Sequence, residues 1–112
     1  MRTEPEDFTF NSSSSDHVTV EGVLRLASPA DYESRFEPLR RGVETASGAF
    51  TLDISRVRFI NSSGITALSR LVLHARSLEK PLVMVGLQNV AWQGTTLSLF
   101  KRLYKQVDVQ LM

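Results

Sequence analysis

Asn61-Ser62-Ser63-Gly64 is the stretch whose residue types and spacing suit chemistry. Two adjacent hydroxyls precede a glycine and an apolar run, as expected where a helix begins. There the first backbone N–H groups are unpaired and the helix dipole is positive, so negative charge is favoured. A serine at that point, Ser63 or Ser62, suits carrying or contacting a phosphate. The plainer alternative is that either hydroxyl only caps the helix. Little else resembles a reactive centre. A nucleophile elbow needs Gly-x-Ser-x-Gly, and Asn61 and Ile65 occupy the glycine positions around Ser63. The sequence has no phosphate-cradling glycine loop with lysine and no cysteine. His17 and His74 lack His, Asp or Glu at ligand spacing on their own elements. The expectation is a protein that is not an enzyme and takes no metal or cofactor.

The elements that must position these serines follow from the patterning. The chain has 112 residues, enough for one domain over 1–112, with 1–7 as a flexible tail. Phe8-Thr9-Phe10 and His17–Leu26 read as two strands of a hairpin around a polar turn at Asn11–Asp16. Gly22 marks a bulge or a close backbone approach. Ser28-Pro29 starts a helix as N-cap and first residue, and Pro38 should kink or split it near Phe36. Ala49–Ile54 reads as a central strand covered on both faces, followed by a short loop. A helix over 63–80 buries Ile65, Leu68, Val72, Ala75 and Leu78 or Glu79. Leu82–Leu87 is a buried strand. Asn89 caps a last helix running to about Lys105, with Trp92 packed at its start, and Val107–Leu111 is an alternating edge strand. The order β-β-α-β-α-β-α-β predicts an α/β fold: a mixed sheet with helices mainly on one face.

This order, together with Asp53-Ile54-Ser55-x-Val57-x-Phe59-Ile60-Asn61-Ser62-Ser63-Gly64-Ile65 and Val20-x-Gly22-x-Leu24, resembles the STAS domain of anti-sigma factor antagonists. The resemblance covers nearly the whole chain. It implies partner switching in signal transduction and regulation of transcription. A kinase-type anti-sigma factor would phosphorylate Ser63 and be released, and a serine phosphatase would restore binding. The sequence departs from the family at Asn61, where aspartate is usual. An amide can cap the helix but brings no charge beside the serine. The alternative is a constitutive STAS binding module, a transporter or signalling-complex subunit that is not phosphorylated.

Partner contacts are expected at Asn61, Ser62, Ser63, Gly64, Thr66, Arg70 and Leu73. Leu73 stands out as a leucine on the polar side of its helix. Net charge of +1 gives no strong pull toward nucleic acid or a membrane surface. The first ten residues carry Glu4, Glu6 and Asp7 without an apolar core, and no apolar run is long enough to insert in a bilayer. A cytoplasmic protein is expected.

Overall fold

The computed structural model describes residues 7–112. Strands β1 (Phe8–Ser14) and β2 (His17–Leu24) are followed by helices α1 (Pro29–Arg35) and α2 (Glu37–Thr45). Then come β3 (Phe50–Ile60), α3 (Ser62–Ser77), β4 (Leu82–Gly86), α4 (Ala91–Leu103) and β5 (Val107–Leu111). All five strands form one sheet in chain order. β1 is antiparallel to β2, and β2 through β5 run parallel. Right-handed crossovers that always step the same way send their helices to one face. Accordingly α3 packs against α1, α2 and α4 in a single layer.

β3 carries the evidence for that layer. Phe50, Leu52, Ile54 and Val57 are buried, while Thr51, Asp53 and Ser55 are only half-buried. The strand is therefore covered on one face, which corrects the expectation of two. It also runs to Ile60, so the short loop expected before the serines is absent. Its far half is held by β2, whose Glu21, Gly22, Val23 and Leu24 pair with Arg56, Val57, Phe59 and Ile60 across two irregularities. Gly22 sits at one of them with φ of 119°, and a Cβ there would lie 2.3 Å from the Asp7 carbonyl oxygen. No other residue type fits that approach.

The remaining boundaries follow from local bonding. β1 continues through the serines to Ser14, because Asn11, Ser12 and Ser14 stay paired with Thr19, Val18 and His17 of β2 across a bulge, where Ser12 Oγ bonds the Ser14 carbonyl at 2.8 Å. Ser28 caps α1 through the Asp31 N–H at 3.3 Å. Pro38 falls in the first turn of α2, and Phe36 (φ −90°, ψ 4°) separates the two helices. α3 stops at Ser77, with Lys80 N–H on the Ala75 carbonyl and Glu79 N–H on Arg76. That pair of hydrogen bonds is a Schellman ending, and it places Glu79 at φ 56° where glycine is usual. Leu78 is consequently exposed, and Ala67 and Leu71 join Leu68, Val72 and Ala75 in the core. α4 begins at Ala91 after a turn closed by Val90 N–H on Leu87, so Asn89 is not its cap, and it ends at Leu103. Of the tail expected over 1–7, residues 1–6 lie outside the described residues. Asp7 is fixed: its carbonyl accepts from Val23 N–H at 3.0 Å and its carboxylate pairs with Arg35 at 3.1 Å.

Candidate functional site

β3 delivers Asn61 directly to the start of α3, and the Asn61 amide organises the junction from both ends. Its Oδ1 accepts from the Gly64 N–H at 2.8 Å, which makes Asn61 the N-cap, and from the Tyr32 hydroxyl at 2.9 Å. Its Nδ2 donates to the Leu26 carbonyl at 2.8 Å. The Tyr32 oxygen in turn accepts from the Leu26 N–H at 3.1 Å. The loop between β2 and α1, the helix α1 and the start of α3 thus close on one side chain. These partners also fix which amide atom is which: an N–H must face oxygen, and a carbonyl must face nitrogen. Burial raises the Tyr32 pKa, with the Leu26 N–H opposing it, so the phenol stays protonated and donates.

The two serines differ in setting. Ser62 is exposed. Ser63 is half-buried, with its Oγ 3.4 Å from the Ala27 carbonyl across the same loop. Neither hydroxyl is the helix cap, because Asn61 fills that role. The N–H groups of Ser62 and Ser63 belong to the first turn and have no carbonyl one turn back, so an anion on this surface would find donors and a favourable dipole. Gly64 is buried, and a Cβ on it would meet Ile60 Cγ1 at 2.7 Å and the Tyr32 hydroxyl at 3.0 Å. Of the two roles open to this glycine, close packing is the one the geometry displays.

Beyond the junction, Thr66, Arg70 and Leu73 are exposed along α3. Arg70 reaches Glu33 of α1 at 3.5 Å, a solvent-exposed pair of little energetic weight. Asp53 turns back to accept the Ser55 N–H at 2.8 Å, a backbone-satisfying role. His74 Nε2 lies 2.8 Å from Glu44 Oε2, joining α3 to α2. Trp92 packs against the core.

Two supporting residues escaped the sequence reading. Tyr32 is one of them: its hydroxyl, which needs a partner when buried, was the available signal. Gln93 is 1% exposed and binds three backbone groups. Its Nε2 donates to the Ile54 and Val57 carbonyls at 3.1 and 3.0 Å, and its Oε1 accepts the Leu87 N–H at 2.7 Å. β4 pairs with β3 only as far as Asp53, so Gln93 replaces the missing strand partner beyond it. A glutamine on the stripe shared with Leu97, Phe100 and Tyr104 was the signal there.

The one-layered sheet and the capped serine pair define a small α/β domain that presents a helix start beside the end of a central strand. The chain belongs to the STAS family: the family described as "Mlab, STAS domain" matches residues 9–103. Its role is of the STAS protein-interaction type. No curated protein matches the chain. Among solved structures, apo-SiaC from Pseudomonas aeruginosa superposes with a TM-score of 0.59 at 14% identity, over 86% of this chain and 83% of that one. This likeness is one of fold. Among the described residues no helix is long and apolar enough to cross a membrane.

Proposed function

We propose that the chain is a cytoplasmic, non-catalytic partner-switching module in which Ser63 is the phospho-acceptor. The partner is a kinase-type regulator of the anti-sigma class, opposed by a serine phosphatase. The observation that carries this reading is the position of the Ser63 hydroxyl, half-exposed at the start of α3 and leaning on the Ala27 carbonyl. A phosphate there adds roughly −1.5 to −2 charges and three acceptors. The first turn of α3 tolerates that charge. The Ala27 carbonyl does not, so the β2–α1 loop is pushed away while the core beneath stays intact. A surface built from Ser62, Ser63 and Thr66 would then lose its partner without losing its fold.

Asn61 favours a second reading, a constitutive binding module without phosphate. Its amide is committed to the Leu26 carbonyl and leaves no acid beside the serine. Mass spectrometry of the protein from its native host, with and without the cognate kinase, separates the two. Phosphate on Ser63 that depends on the kinase supports the switch; its persistent absence, with partner binding unchanged in Ser63→Glu, leaves the constitutive module.

A further inference from the structure

The net charge of +1 conceals a separation. Residues 7–53 carry eight acidic and four basic side chains, whereas residues 54–107 carry eight basic and one acidic, Glu79. Because sheet order follows chain order, this becomes a separation in space. β1, β2, α1 and α2 form an acidic flank, and α3 and α4 with the turns that follow them form a basic one; Arg56 and Arg58 lie on the far half of β3, beside β2. Of those eight basic residues only Arg70 forms an ion pair among the described residues.

On the basic flank α3 and α4 lie side by side, tied by Arg76 Nη1 to the Leu103 carbonyl at 3.4 Å. A cleft of about 470 Å³ there is lined by Ile65, Thr96, Leu99 and Arg102, among others. Each of these two helices exposes a leucine, Leu73 of α3 at 42% and Leu99 of α4, which lines the cleft, at 41%. Apolar anchors bordered by arginine are the composition of a protein-binding surface. The cleft is small and concave, which suits a side-chain ridge better than a bilayer.

We propose that the α3–α4 face docks an acidic amphipathic segment of the protein partner. Apolar side chains of that segment rest on Leu73 and Leu99, and its carboxylates face Arg76 and Arg102. This rests on the reading that the serine junction contacts a protein, and it deepens it. A phosphate on Ser63 lowers the positive potential of the same flank, so one modification weakens both the contact at the junction and the electrostatic attraction beyond it.

The test uses the full chain in its native host, carrying the photo-crosslinker benzoylphenylalanine at position 99 or at position 62, with the crosslinked peptides sequenced. Both positions are expected to capture the same protein, and the position-99 crosslink to fall in a segment with an excess of Asp and Glu. Arg76→Gln with Arg102→Gln should lower the position-99 yield roughly tenfold while the thermal midpoint is retained. Capture from position 62 alone, or a neutral or basic segment at position 99, overturns the docking proposal and leaves the junction reading standing. Capture from neither position removes both. Sedimentation of the wild type, but not the double variant, with phosphatidylglycerol vesicles assigns the face to an anionic membrane and likewise overturns the proposal.

Discussion

At the residue scale, the two ends of the Asn61 side chain have opposite demands. One end must accept from Gly64 N–H and the Tyr32 hydroxyl, and the other must donate to the Leu26 carbonyl. Aspartate serves the first end and sets like-signed oxygens together at the second. Asn61→Asp is therefore expected to cost about 1–3 kcal/mol, read as a lower urea midpoint at pH 7. The tyrosines set an alkaline limit. Burial raises the Tyr32 phenol, partly offset by Leu26 N–H, and burial followed by the Glu79 charge raises Tyr104. An acid whose folded pKa is raised contributes stability that is whole below its unfolded value of about 10 and lost as pH climbs through the folded one. Urea midpoints should hold to pH 9 and then fall, with a shallower fall in Tyr32→Phe. The capping potential of Asn61 was legible in the sequence. Its bond to Tyr32 was not, because no local pattern joins residues 29 positions apart.

At the element scale, β3 is longer than its partner on one side, and a helix makes up the difference. Gln93→Leu would leave the Ile54 and Val57 carbonyls and the Leu87 N–H without their side-chain partner in a buried setting. A loss of about 2–4 kcal/mol is expected, measured by equilibrium unfolding, together with faster hydrogen exchange at Leu87. The end of α3 offers the opposite change. Glu79 holds φ 56° in a Schellman ending, and Glu79→Gly should raise stability by about 0.5–1 kcal/mol in the same assay. Most elements could be read from spacing: the hairpin, the capped start of α1, its break near Phe36 and the last strand. The far half of β3 could not. Arg56 and Arg58 interrupt the apolar alternation, and the irregular register with β2 that accommodates them is a property of two strands together. The end of α3 was overestimated because Pro81 marks where a helix must have stopped, not where its capping bonds close.

At the scale of the whole molecule, the sequence announced the order of elements and, through it, the family. It did not announce the polarity of charge, since a single net value averages over both flanks. That polarity predicts a kinetic behaviour. Association with the partner should slow roughly tenfold between 0.05 and 0.5 M salt, followed by stopped-flow fluorescence with Trp92 as reporter. A rate indifferent to salt would place the contact away from the basic flank. Strand order identical to chain order has its own consequence during synthesis. The topology lets each strand be added to a free edge in the order of synthesis, and no earlier pairing has to open to admit it. The acidic flank is synthesised first, and the basic flank, serines included, leaves the ribosome after it.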